Sequence, residues 1–313
     1  MSRAPNSPRT RTQQRVAFLV VAALALRGEA PLIQPGDDNT TDALPLRLYC
    51  AAGIKPTLEK VLADYETRDD GGFEKEDAKE AFHALRRRLV HLQENLYAES
   101  KHALLVVFQA MDAGGKDSTT KAVFGPVDPA GCRVKSFKAP HSEELGHDFL
   151  WRVHQNTPKK GYIGVFNRSH YEDAVTVAVK DLAPKDVWKH RVDHINNFER
   201  LLHTEGTRVV KFFLHISKDY QKERLQRRLD RPDKHWKFNV ADLDERARWA
   251  KYQTRYAEVF GQTSPKDAPW YIIPAERRWY RNLLVTKVLV DLLEKMDPHP
   301  PEPDFDPTSI VIE

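Results

Sequence analysis

Leu104-Leu105-Val106-Val107-Phe108-Gln109-Ala110-Met111-Asp112-Ala113-Gly114-Gly115-Lys116-Asp117-Ser118-Thr119-Thr120 is the stretch from which the fold is read. Its first five residues are an unbroken apolar run, rich in Val and Leu and too short for a helix. A strand buried on both faces reads this way. Gly114 and Gly115 then turn the chain into a helix that starts near Lys116. Glycines at such a turn let backbone N–H groups aim at an anion, the helix start adds its positive end, and Lys116 adds a mobile full charge. Ala113, Gly114, Gly115, Lys116, Asp117 and Ser118 are therefore candidate phosphate-binding residues. The pattern G-x-x-x-x-G-K-[ST] is met imperfectly, with Ala110 at the first Gly and Asp117 at the metal-binding hydroxyl. Ser118 and Asp112 are the nearest substitutes.

Downstream, strand and helix signals alternate. Arg133 to Phe137, Tyr162 to Phe166, Val209 to Ile216 and Trp270 to Pro274 read as strands; Ser142 to Gln155, Lys185 to Thr204 and Glu276 to about Met296 read as helices. Such alternation predicts an α/β fold of three layers, α/β/α, with a parallel sheet, and the glycine loop at a strand end gives it the P-loop plan. Ligands of such sheets bind beyond the carboxyl ends of the strands, where the glycine loop already sits.

Upstream, Ala78, Phe82, Leu85, Leu89, Leu92 and Leu96 alternate steps of four and three and mark one face of a long helix between Phe73 and Ser100. Arg86, Arg87 and Arg88 lie off that face and read as structural. The expected organisation is an extension and linker over 1–46, a helical segment packed on the core over 47–100, a P-loop domain over 101–296 with a lid at about 218–260, and an extended tail over 297–313. Arg3, Arg9, Arg11 and Arg15 before the apolar run Val16 to Leu26 have the outline of a secretory signal. That run is shorter than the about 20 residues a membrane-spanning helix needs, so no membrane partner is expected; the cytoplasmic character of the rest makes a basic tail or an upstream start preferred over export.

The whole chain has 313 residues, of which 41% are hydrophobic, enough for one large catalytic unit. Its formal net charge of +4 is too mild to mark a nucleic-acid binder. Cys50 and Cys132 stand far apart, which suggests neither a zinc site nor a disulfide framework and fits a cytoplasmic setting. His141, His147 and His154 lack the spacing of a helical metal pair.

Two further clusters carry chemistry. Phe166-Asn167-Arg168-Ser169-His170-Tyr171-Glu172-Asp173 ends a strand and crowds six polar functions into one turn. In phosphate-loop enzymes a carboxylate from the end of a neighbouring strand holds the metal, and Arg suits bidentate contact with phosphoryl oxygens. Here Asn167 directly follows the strand, so the carboxylate work is left to Asp112, Glu172 or Asp173. Helix capping accounts for one of these residues, not for all of them. Between Tyr220 and Phe238, Lys222, Arg224, Arg227, Arg228, Arg231, Lys234 and Lys237 set seven cations against three acids. Pro232 breaks the first helix there, giving a basic helical hairpin able to fold over the strand ends.

Gln109-Ala110-Met111-Asp112-Ala113-Gly114-Gly115-Lys116-Asp117, the Asn167 to Asp173 cluster, and Leu229-x-x-Pro232-x-Lys234-x-Trp236-Lys237-Phe238 together resemble the polyphosphate kinase 2 family. The likeness runs from roughly Leu46 to Glu313, and the Asn-Arg-Ser-His-Tyr-Glu-Asp form of the second motif is similar to class III. Ser118 stands where that family usually has Gly. The resemblance implies transfer of the terminal phosphoryl group of inorganic polyphosphate to AMP and ADP. It further implies Mg²⁺, or Mn²⁺ in its place, guanine nucleotides as further possible acceptors, and a homo-oligomer. Carried onto this sequence, it gives Lys116, Gly114, Gly115 and Arg168 the transferring phosphates, and Asp112 and Asp173 the metal. Asn167, Arg168, His170, Glu172 and Asp173 face the nucleotide, and Arg227, Arg231, Lys234 and Lys237 grip the polyphosphate. The catalytic set is then Asp112, Lys116, Arg168 and Asp173. Two rivals share these motifs: an ATP-dependent nucleotide or nucleoside kinase of the same plan, and a non-catalytic polyphosphate-binding module. The orthodox loop expected of the first is missing at Asp117, and a pure polyanion binder has no use for carboxylates among its cations.

Overall fold

The computed structural model describes residues 49–50, 62 and 65–312. The expectations for residues 1–46 lie outside the described residues. The strands are β1 (Tyr49–Cys50), β2 (Ala103–Gln109), β3 (Cys132–Ser136), β4 (Ile163–Asn167), β5 (Thr207–His215) and β6 (Trp270–Pro274). The helices are α1 (Lys75–Glu99), α2 (Lys116–Phe124), α3 (Ser142–Leu145), α4 (Trp151–His154), α5 (Glu172–Val179), α6 (Lys185–Trp188), α7 (Arg191–Thr204), α8 (Lys218–Leu229), α9 (Ala241–Ala247), α10 (Trp249–Gln262) and α11 (Arg278–Met296). A 3₁₀ turn, Pro232–Lys237, separates α8 from α9.

The sheet order is β1-β6-β5-β2-β4-β3. From β3 to β6 every pairing is parallel, with Val106 opposite Val165 on one side and Val210 on the other. All seven residues of β2 are buried, as the apolar run demands of a strand with helices on both sides. α1 and α2 pack with α11, and α5 packs with α6, α7 and α10. The parallel three-layer reading therefore holds, with one addition. β1 joins β6 antiparallel, Tyr49 opposite Ile272, so the region over 47–100 adds a strand to the sheet besides the helix α1.

Helix α1 buries Ala78, Phe82, Leu89, Leu92 and Leu96, the expected stripe. Two of its arginines are structural: Arg88 pairs with Glu294 of α11 at 2.9 Å, and Arg86 donates to the Ala122 carbonyl. The helix expected over Ser142 to Gln155 is instead two single turns, α3 and α4. Gly146 closes the first, and the Asp148 carboxylate accepts from the Leu150 N–H to start the second. Lys185 to Thr204 is likewise split, at Lys189-His190.

His215, the last residue of β5, is buried, hydrogen-bonds the backbone of Leu62 and Tyr65, and leaves Nδ1 without a partner. Burial pulls its pKa from 6.5 down to about 4. Between those values the unfolded chain binds more protons than the folded one, so this residue's contribution is complete above pH 6.5 and is lost as pH falls toward 4. Unfolding free energy should therefore drop by about 2 kcal/mol from pH 7 to pH 5 on account of this group. Urea titrations of His215→Gln at the two pH values should show a correspondingly flatter acid limb.

Candidate active site

Because β2 ends at Gln109 and α2 begins at Lys116, six residues must reverse the chain tightly, and the backbone shows it. Ala113 and Gly115 both adopt positive φ, 63° and 99°. A left-handed Ala is strained, and such strain persists where surrounding structure holds it, commonly at functional loops. Gly114 is close-packed as well: a Cβ there would sit 2.7 Å from Ala110 Cβ and 2.8 Å from the Met111 carbonyl.

Lys116 folds back inside this loop. It is 9% exposed, its Nζ donates to the Ala110 carbonyl at 3.0 Å, and it forms no ion pair among the described residues. Burial first, then repulsion from Arg168, holds its pKa below the usual lysine value, against the pull of Asp112, Glu172 and Asp117. Across from it Arg168, itself at φ 59°, donates to Asp112 Oδ1 at 2.7 Å. Burial works against the Arg168 charge, but Glu172 and Asp112 outweigh it and raise its pKa. Thus Asp112, Lys116, Arg168 and Glu172 do meet in space, as their spacing suggested. Tyr256 of α10 completes the neighbourhood beside Arg168 and Glu172.

Asp117 faces sideways rather than into the loop. Its Oδ1 accepts from Asn167 Nδ2 at 2.5 Å, which ties the first turn of α2 to the end of β4. Both residues thus brace the loop through their side chains. The Ser118 hydroxyl donates to the Gly115 carbonyl at 2.8 Å and accepts from Arg281 Nη2 at 3.2 Å.

Two expectations for the second cluster are corrected. His170 is fully buried, its Nε2 3.3 Å from Glu199 Oε1, and cannot reach a nucleotide. Asp173 is withdrawn as a metal ligand, because Arg152 and Arg191 hold its two carboxylate oxygens at 3.4 and 3.3 Å. Burial keeps its pKa above the ordinary value despite both guanidinium groups. The density of polar residues in this turn has a largely structural cause. Lys211 Nζ, beneath it in β5, donates to Glu199 Oε2, the Tyr171 hydroxyl and the Thr263 carbonyl, while the Tyr171 hydroxyl donates to Glu199 Oε1. The Ser169 hydroxyl accepts from the Tyr171 N–H and from Gln109. A buried charge pair is tolerated only when so fully bonded, and here it fixes the turn that presents Arg168 and Glu172.

On the hairpin, Arg231 and Lys234 both pair with Asp233, at 2.9 Å each, and hold its pKa down to about 2. Lys237 lies over the Trp236 ring, and Arg228 pairs with Asp242 at 3.1 Å. Surface pairs of this kind are weak and readily exchanged for another anion. Arg227 has no ion pair among the described residues and lies in the electrostatic neighbourhood of Arg224.

Sequence reasoning passed over Arg281. It is 2% exposed and packs directly on Gly115. The signal was available: Arg281 lies on the same stride as Leu284, Val285 and Val288, the apolar face of a helix, where a guanidinium needs a reason.

No group of three or more His, Cys, Asp or Glu side chains suited to a metal occurs among the described residues. Mg²⁺ makes a smaller demand, usually one or two carboxylates with several waters and substrate phosphate oxygens. The partly exposed Asp112 carboxylate, a hard oxygen donor at the mouth of a phosphate loop, fits it.

Fold and site together define a phosphotransferase of the phosphate-loop type, with a glycine loop and a buried lysine at the end of a central parallel strand. The family model described as Polyphosphate kinase 2 (PPK2) matches residues 72–301, and this chain belongs to the polyphosphate kinase 2 family. It is 51% identical to an AMP/ADP-polyphosphate phosphotransferase of Meiothermus ruber over 83% of this chain and 98% of that one. It is 43% identical to an ADP-polyphosphate phosphotransferase of Rhodopseudomonas palustris, over 78% of this chain and 89% of that one. Among solved structures, polyphosphate kinase 2 from Arthrobacter aurescens superposes with a TM-score of 0.77 at 41% identity, covering 80% of this chain and 90% of that one. No helix among the described residues is long and apolar enough to cross a membrane.

Proposed function

We propose that this chain transfers the terminal phosphoryl group of inorganic polyphosphate to AMP and to ADP, forming ADP and ATP, with Mg²⁺ bound at Asp112. The observation that carries the reading is Lys116: a buried cation with no ion pair among the described residues, in a loop with left-handed backbone at Ala113 and Gly115, opposite the Asp112–Arg168 pair. Polyphosphate as donor, rather than ATP, is supported by the names of the relatives above, and acceptance of both AMP and ADP by the Meiothermus ruber relative's name.

Phosphoryl transfer passes through a loose transition state, so alignment and cations around the equatorial oxygens supply most of the rate. Lys116 and the amides of Gly114 and Gly115 hold the donor's end unit. Arg168, already charged and positioned by Asp112 and Glu172, contacts the group in flight. Asp112 would hold Mg²⁺, which when bound would supply positive charge against the phosphate oxygens. Glu172 orients the acceptor; a nucleotide phosphate is already ionised, so no base is required. Asn167 acts indirectly, by holding Asp117 and the loop, while Arg227, Arg231, Lys234 and Lys237 close over the donor chain.

Purified protein supplied with Mg²⁺, long-chain polyphosphate and AMP, ADP, GMP or GDP in turn, with products resolved by chromatography, tests this. ADP and ATP should form from the adenine nucleotides. Product that appears only when ATP replaces polyphosphate would overturn the donor assignment.

A further inference from the structure

Arg281 is the least explained charge in the molecule. Its guanidinium is buried under the exposed edge of the phosphate loop and bonds only neutral oxygens, Ser118 Oγ and its neighbour Asn282 Oδ1, with no carboxylate in ion-pair range among the described residues. Its charged neighbours make matters worse. Burial is the leading cause that pushes its pKa down to about 10, and Arg278 and Arg224 both repel it. Arg278 and Arg224 likewise form no ion pair among the described residues, and Arg224 is depressed by burial and by Arg278, Arg227 and Arg228.

Removing a guanidinium from water without a counter-charge is costly, and the half-buried Arg224 and exposed Arg278 add like charge beside it. The cost is recovered when an anion enters. Arg224 stands on α8 and Arg278 and Arg281 on α11, two helices anchored beside the phosphate loop. Helix α8 is pinned to the loop through Gln221 Nε2, which donates to the Asp112 carbonyl at 3.0 Å, and α11 packs against α2. The hairpin cations differ, since Arg231 and Lys234 already share Asp233.

We propose that Arg281 grips the donor phosphate next to the one held by Lys116, and that Arg278 and Arg224 take phosphates further along, so the chain leaves the loop between α8 and α11. This rests on the polyphosphate reading above. It makes Arg281 part of the site for every donor length and the two outer arginines a site for long donors only. Ser118 gains a purpose as well, because its hydroxyl holds the guanidinium beside Gly115 until the donor arrives.

The test compares KM for tripolyphosphate and for long-chain polyphosphate at fixed AMP and Mg²⁺ in Arg281→Met, Arg224→Ala and Arg278→Ala. Losing a charge-assisted contact should raise both donor KM values of Arg281→Met about thirtyfold, with the KM for AMP moving less than about threefold. The rise in melting temperature that polyphosphate gives the parent protein should disappear in that variant. Arg224→Ala and Arg278→Ala should each raise the long-chain KM about fivefold and the tripolyphosphate KM distinctly less. Unmoved donor KM values in Arg281→Met, or an equal rise for AMP, would overturn the proposal and leave Arg281 as a strut between α11 and the loop. If Arg281→Met fails to fold, the outer pair decides: Arg278 is exposed and Arg224 half-buried, and an unchanged ratio of long-chain to tripolyphosphate KM overturns it. Failure of the parent protein to use any polyphosphate would instead remove the underlying reading.

Discussion

Lys116→Ala should lower kcat/KM for polyphosphate-driven AMP phosphorylation by about three orders of magnitude, the scale of losing a preorganised cation at a transferring phosphoryl group. The same variant should unfold no earlier than the parent. Lys116 is buried, forms no ion pair among the described residues and donates to the Ala110 carbonyl, so its removal relieves desolvation and forfeits little else. Loss of activity with retained stability separates a functional lysine from a packing one. Steady-state rates and thermal unfolding on the same preparations check both halves. Lys116→Arg should not rescue, because a planar fork cannot occupy the space that the folded-back ammonium stem fills. Turnover within tenfold of the parent would mean that the transferring phosphate lies elsewhere.

What a local reading of the chain could reach, and what it could not, divides along one physical line. Apolar period and glycine chemistry are written in consecutive residues, so β2, the loop and α1 were legible, as was the parallel order that follows from alternating elements. That Asp112, Lys116, Arg168 and Glu172 come together was legible because all four lie just beyond the ends of strands that alternation makes parallel neighbours. His170 and Asp173 were misread because their reasons lie far off in sequence. Glu199, which bonds His170 and Tyr171, comes from α7, Lys211 from β5, and the Asp173 partners Arg152 and Arg191 from α4 and α7. Seen alone, a buried polar network and a catalytic cluster have the same composition. Arg281 was missed for the opposite reason: its helix was read by its apolar stride, and the one charged residue on that stride was not set apart.

Gly115→Ala is the second large effect expected, and its origin differs from that of Lys116→Ala. At φ 99° an L side chain is strained by roughly 1–3 kcal/mol before any contact is counted. The new Cβ would also overlap Arg281 Nη1 and lie 3.2 Å from Cζ, and a guanidinium that is 2% exposed has little room to retreat. The loop must therefore open or Arg281 must leave, and either change disperses the amides and cation that receive the donor. Activity should fall roughly a hundredfold to a thousandfold, and, unlike Lys116→Ala, the melting temperature should fall with it. The two causes separate in a double-mutant cycle. If the collision with Arg281 dominates, Arg281→Met should recover much of the stability lost in Gly115→Ala, because the flexible thioether can yield where the guanidinium cannot, giving a non-additive pair. If backbone strain dominates, the two losses should add. Thermal unfolding of the parent, both single variants and the double variant distinguishes the cases, and strict additivity would show that Arg281 does not limit the space above Gly115.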